Sequence, residues 1–158
     1  MKLRDKSAVV GLGYTIQGKV PNRSPLSFYL EASKNACNDA GLLITDIDGI
    51  IIEPCPTDPR ISAFGLAQEM GLELKFGADE QVQGASAGAI MQHAAMAVEA
   101  GLCNYCLCAF ADTSLSSPLG GGVVYQAGGG VNAAFGMFGV AASYAMIARR
   151  YMYEYGVT

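Results

Sequence analysis

The stretch 84–112, GASAGAIMQHAAMAVEAGLCNYCLCAFAD, decides how this chain is read. Residues 84–101 form a run of small side chains with apolar positions at helical spacing and a glycine at the end, the pattern of a helix that packs closely on its neighbours. Asn104 to Asp112 then reads as an apolar strand. A helix handed directly to a buried strand is part of a crossover unit, and crossovers imply parallel pairing.

Reading outward from this unit repeats the pattern. GADEQVQ (77–83) is a weakly apolar strand suited to a sheet edge or a subunit contact. DPRISAFGLAQEMGL (58–72) is an amphipathic helix closed by Gly71, and DIDGIIIEP (46–54) is a strand halted by Pro54 and Pro56. In NRSPLSFYLEASKNACNDAGL (22–42), Ser24 supplies the N-cap, Pro25 the first helical position and Gly41 the stop. SAVVGLG (7–13) reads as a buried strand. The class is therefore α/β, a mostly parallel sheet with helices on both faces, in one domain over 1–158. Ligands gather at the C-terminal ends of the strands in such sheets, which directs attention to the turn from Gln81 to Gly88. Beyond Asp112 lies a glycine-rich loop, 113–139, and then a helix, VAASYAMIARRYMYEYG (140–156), stopped by Gly156.

Charge and composition narrow the function classes. A net charge of -4, with a sequence pI near 4.8 and Arg149–Arg150 as the only basic pair, argues against nucleic acid as partner. No apolar run has the length of a membrane span, and the opening MKLRDKSAVVGLG lacks a signal-peptide pattern, so a cytoplasmic protein is expected. Five cysteines, an odd number scattered through apolar segments, are expected to be reduced and buried. Twenty glycines in 158 residues exceed the usual share of about 7% and call for close backbone approach.

GYTIQGKVP (13–21) comes close to a phosphate-binding loop, with Gly13, Gly18 and Lys19 in place. Val20 lacks the metal-ligating hydroxyl, however, and Pro21 removes an N–H where the phosphate helix would begin. The dinucleotide fingerprint also fails, because residue 16 is Ile16. This stretch reads as a strand-exit loop.

At the bend QVQGASAGAI (81–90) there is no cysteine, and Ser86 is the only hydroxyl. His93 lies seven residues on, roughly 10 Å of helical rise, so a local Ser–His dyad is ruled out. Ser86 is expected to cap or pack, and His93 to be a packed, hydrogen-bonded side chain. Cys103, Cys106 and Cys108 lack the second close pair that a zinc knuckle needs and read as core sulfur. Asp112, Thr113, Ser114, Ser116 and Ser117 either line a polar pocket or form a solvated loop. The glycine clusters suit either a lid or a loop ordered by a partner.

The order of motifs resembles the thiolase superfamily, in the branch of sterol carrier protein-type thiolases and thiolase-like lipid-transfer aldolases. The matching stretches are residues 8–42 (AVVGLGYTIQGKVPNRSPLSFYLEASKNACNDAGL), DIDGIII, GASAGAIMQHAAMAVEAGLCNYCLCAFAD and YAMIARRYMYEYGVT. The resemblance implies a two-half fold of which this chain is the N-terminal half, with no nucleotide at the opening loop. It implies a coenzyme A thioester as substrate and no covalently bound cofactor. Counting back from Gly101 places Gly84 where that family carries its nucleophilic cysteine, so aldol-type C–C cleavage or condensation is expected rather than acyltransferase-like thiolysis. Ala85 and Ser86, with Ala87, are then oxyanion donors at the helix N-terminus. The resemblance further implies a homodimer through Ala78 to Gln83, or a hetero-oligomer with an OB-fold partner chain, and inactivity of the isolated chain. A reading from another class is a non-catalytic subunit that binds a lipid or acyl-CoA or stabilises a partner.

Overall fold

The computed structural model describes residues 3–117, 134–136 and 139–158. The chain divides into two compact units, 1–113 and 114–158. The first contains α1 (Pro25–Ala40), β1 (Gly49–Ile52), α2 (Ala63–Met70), β2 (Phe76–Asp79), α3 (Ser86–Glu99) and β3 (Cys106–Ala109). In the second, α4 spans Gly139–Tyr155, with Arg150 paired to Glu154 one turn on and Gly156 just past its end. Most of the glycine-rich loop lies outside the described residues.

Helix α1 begins and ends where its sequence signals it. Ser24 Oγ accepts from Ser27 N–H, Pro25 occupies the first position, and Gly41 takes the left-handed conformation (φ 68°) that closes the helix. Ser62 caps α2 in the same way through Gly65 N–H, and Asp79 from β2 accepts the Ala63 amide at 2.7 Å.

The sheet runs β2-β1-β3, all parallel, with Gly49 opposite Phe76 and Cys106, and Ile52 opposite Asp79 and Ala109. Ile50, Ile51 and Ile52 have no exposed surface, as expected of a central strand covered on both faces. Ile50, Ile52 and Leu107 pack toward Phe28, Tyr29 and Cys37 of α1 and Leu66 of α2. Ile51, Phe76, Ala78 and Cys106 pack toward Ile90 and Ala94 of α3. Helices thus cover both faces, as the alternation of elements predicted.

One expected strand is not formed. Residues 7–13 pair with no other strand among the described residues, and Val9, Val10 and Leu12 are exposed rather than buried. The glycines hold this segment in place. A Cβ at Gly13 would lie 2.1 Å from Ala32 O, and one at Gly11 2.4 Å from Ala36 O, so only glycine lets the backbone lie this close to α1. The packing face is present, but no hydrogen-bonded neighbouring strand is found among the described residues. The expectation that all five thiols are buried also needs correction: Cys37, Cys55 and Cys103 are buried, Cys106 is half-buried, and Cys108 on the edge strand is exposed.

Candidate active site at the C-terminal ends of the strands

The two ends of the sheet differ in chemistry. At the N-terminal ends Asp48 accepts from the amides of Asn104 (2.7 Å) and Tyr105 (2.9 Å), from Asn104 Nδ2 (3.0 Å) and from Lys75 Nζ (3.0 Å). Burial alone would raise its pKa, but these donors hold the carboxyl below the usual carboxylate range. An open groove of about 710 Å³ lies here, lined by Asp48, Lys75, Asn104 and Tyr105 among others. Asp48, Lys75 and Asn104 in it are already engaged with one another, and it is on the opposite side from the strand ends where α/β sheets bind ligands.

At the C-terminal ends, the chain leaves β2 through a 3-10 turn (Gln83–Ala85) directly into α3. Ser86 is buried; its hydroxyl accepts from Val82 N–H (2.9 Å) and donates to Gln83 O (2.8 Å). It packs and locks the turn, as expected, and is not presented to a ligand. The Ala85 amide bonds Val82 O and the Ser86 amide bonds Gln83 O. The third amide singled out by sequence, that of Ala87, lies at an exposed position in the first turn of α3, where helix amides have no intrahelical acceptor.

Gly84 is exposed, and a Cβ built on it meets nothing within 4 Å. A Cβ would therefore be accommodated there, and its absence leaves the bend open at the helix N-terminus. Gln83 immediately before it holds φ 55°, a left-handed conformation uncommon for a non-glycine residue. No sequence signal marks it, since glutamine has no preference for that region.

His93 hydrogen-bonds through Nδ1 to Glu80 and meets the Phe76 ring edge-on at 5.3 Å. It is a packed, bonded histidine on α3, and the helical spacing keeps it away from the bend. The second oxygen of Glu80 is buried with no hydrogen-bond partner among the described residues.

The ends of β1 and β3 carry a further polar cluster. Asp112 accepts from Thr57 Oγ1 (2.5 Å) and from the Thr113 amide (2.8 Å), with Cys55 Sγ at 3.6 Å. Thr57 and Thr113 hydroxyls meet at 3.1 Å. Tyr29 donates to Glu53 O at 2.6 Å, and burial pushes its phenol far above the ordinary range. Burial also raises the Cys55 thiol, which keeps it protonated and poorly nucleophilic at neutral pH. Sequence had marked Asp112 and Thr113 as pocket lining or solvated loop. It had missed Cys55 and Thr57, which lie more than fifty residues away and meet Asp112 only through parallel pairing. Among the described residues no group of three or more His, Cys, Asp or Glu is arranged to hold a metal.

No protein-family model matches the chain. The chain is 36% identical over 99% of its length to the 17-hydroxy-3-oxo-4-pregnene-20-carboxyl-CoA lyase of Mycobacterium tuberculosis, covering 42% of that protein. It is 36% identical over 96% of its length to the steroid side-chain-cleaving aldolase of Thermomonospora curvata, covering 41%. A solved Ltp2-ChsH2(DUF35) aldolase superposes with a TM-score of 0.75 at 35% identity, over 96% of this chain and 39% of that one. The chain thus spans about two fifths of the length of the relatives it matches. Among its described residues, no helix is long and apolar enough to cross a membrane.

Proposed function

We propose that this chain forms one wall of an active site for aldol-type cleavage of a β-hydroxyacyl-CoA thioester. In that reaction a base removes the β-hydroxyl proton, the Cα–Cβ bond breaks to release a carbonyl compound, and the electron pair passes into the thioester as an enolate. Protonation at Cα then completes the second product. The enolate oxygen needs fixed donors where its charge develops. The first turn of α3, beginning with the Ala87 amide, supplies them, and the helix dipole adds partial positive charge.

The observation that carries this reading is the open, sulfur-free bend at Gly84 over the N-terminus of a 14-residue helix. A thiolase-like scaffold with sulfur at this place would carry the acyl group covalently; without it, the same donors serve chemistry that needs no acyl-enzyme. The similarity to steroid-CoA lyases favours a bulky polycyclic acyl group, and the Ltp2-ChsH2(DUF35) neighbour favours a heteromeric assembly with an OB-fold partner chain.

The test uses the chain assembled with the polypeptides that complete the activity. Gly84→Leu projects a side chain into this space from a Cβ that meets nothing within 4 Å, so turnover of a β-hydroxyacyl-CoA should fall by about a hundredfold while the unfolding midpoint holds. Undiminished turnover, or a covalent acyl adduct on residues 81–88 of the parent protein in mass spectrometry, overturns the reading.

A further inference from the structure

Three of the five thiols lie together on one face of the sheet. Cys106 and Cys108 are two residues apart in β3, so strand alternation points both to the same side, and Cys106 packs with Ile51 and Ile90 on the face that α3 covers. Cys108 Sγ stands 4.0 Å from Ile90 O of that helix. Cys103, in the connection from α3 to β3, joins them across Gly49, the residue opposite Cys106 in β1. A Cβ built on Gly49 would lie 2.6 Å from Cys103 Sγ and 3.4 Å from Cys106 Sγ. Both sulfurs converge on the space that a side chain at 49 would take, so glycine there is what lets them meet.

Exposure is graded along the row: Cys103 is buried, Cys106 half-buried and Cys108 exposed. The Cys106 thiol bonds to Cys108 and holds it below its ordinary pKa, whereas burial raises Cys103. The outermost sulfur is therefore the most accessible of the three and the richest in thiolate, the combination that makes a cysteine oxidisable. Cys37 and Cys55, buried and raised by burial, have neither property. Nor is the row arranged as a metal site, since among the described residues no group of three such ligands is placed to hold one.

We infer that these three residues are a site of reversible oxidative modification by hydrogen peroxide, in which oxidation enters at Cys108 and comes to rest as a Cys103–Cys106 disulfide. The Cys108 thiolate attacks one peroxide oxygen; an S–O bond forms, the O–O bond breaks, and the second oxygen leaves as hydroxide, which takes a proton to become water. The Cys106 thiol then attacks the sulfenic sulfur, the S–O bond breaks, and the hydroxyl leaves with the Cys106 proton as a second water. Two thiols have lost two electrons, and the peroxide has gained them. Residues two apart in a strand are separated by about 6.6 Å, at the upper end of disulfide geometry, so the Cys106–Cys108 bond is strained and open to exchange. Cys103 attacks its Cys106 sulfur, the bond to Cys108 breaks, and the Cys103 proton passes to Cys108. The inference does not rest on the chemistry proposed at the bend.

In the test, the full chain is treated with hydrogen peroxide, its remaining thiols are alkylated at successive times, and its peptides are sequenced by mass spectrometry. The expected product has Cys103 and Cys106 joined, with Cys37, Cys55 and Cys108 alkylated, and it reverts with dithiothreitol. Cys106→Ser should stop the sequence at the sulfenic acid, seen as a dimedone adduct on Cys108. Cys108→Ser should slow the loss of free thiol at Cys103 and Cys106 by at least about tenfold. That position is exposed, so the variant should keep the parent's unfolding midpoint, which separates loss of the entry thiol from loss of fold. The inference is overturned if Cys108 of the parent reacts no faster than Cys37 and Cys55, if Cys108→Ser oxidises at the parent's rate, if the accumulated disulfide is Cys106–Cys108, or if it joins two chains.

Discussion

Two stretches of this molecule carry nearly the same strand chemistry and meet opposite fates. Gly49–Ile52 is the centre of the sheet, with its three isoleucines fully buried, whereas Ala8–Gly13 lies along α1 with Val9 63% and Val10 60% exposed. Both are short, β-branched and bounded by glycine. Intrinsic preference therefore does not separate them; the presence of neighbours on both edges does. The general lesson is that a strand is a property of a pair, and a sequence reading that assigns strands one at a time sees only half of each pair.

The largest effect should come from breaking the buried member. Ile51 has no exposed surface and packs on Ile90 and Ala94, so Ile51→Ala should cost about 3 kcal/mol in denaturant unfolding, within the range for large-to-small core substitutions. A loss below about 0.5 kcal/mol would place β1 outside the cooperative core and erase the contrast with residues 8–13.

A smaller effect, with a pH signature, tests what holds β1 in register. Asp48 binds donors that precede β2 and β3, so it ties together the entry points of all three strands. Asp48→Asn should cost about 2 kcal/mol at neutral pH, because charge-assisted bonds are lost and one acceptor oxygen becomes a donor facing donors. Asp48's folded pKa is depressed, so its contribution is fully present above the unfolded value of about 3.9 and is lost as pH falls through the folded value. Unfolding midpoints of the parent and Asp48→Asn should therefore converge in acid below about pH 4. A constant difference across that range would show that the carboxylate charge is not what matters.

Much of this arrangement was legible in the sequence because its signals are local. Ser24, Pro25 and Gly41 delimit α1 where predicted, and Gly71 closes α2. The strand–turn–helix at 77–99 placed the bend over a helix N-terminus, and the spacing of Ser86 and His93 already separated them. What escaped depends on pairing across the sheet. Asp112 meets Cys55 and Thr57 only because β1 and β3 run parallel in register, and no spacing rule anticipates that contact. Gln83 escaped for a different reason, since a left-handed glutamine reflects tertiary constraint overriding residue preference. Residues 7–13 were read correctly as to chemistry and wrongly as to burial, because burial depends on tertiary neighbours that a local reading does not see.

The smallest effect sharpens the comparison from the other side. Gly13→Ala places a methyl 2.1 Å from Ala32 O and 2.3 Å from Ala36 N, both helix backbone, which cannot yield as a flexible side chain would. The segment must lift away from α1, and the bond from Leu12 N–H to Asp39 should be lost with it. Because these residues bury little, the cost to global unfolding should stay below about 1 kcal/mol even though the local contact is severe. Amide exchange at Leu12 should accelerate strongly while exchange in β1 is unchanged. If β1 loosened as well, the segment would belong to the same cooperative unit as the sheet, and the unpaired stretch would contribute to the core rather than lie against it.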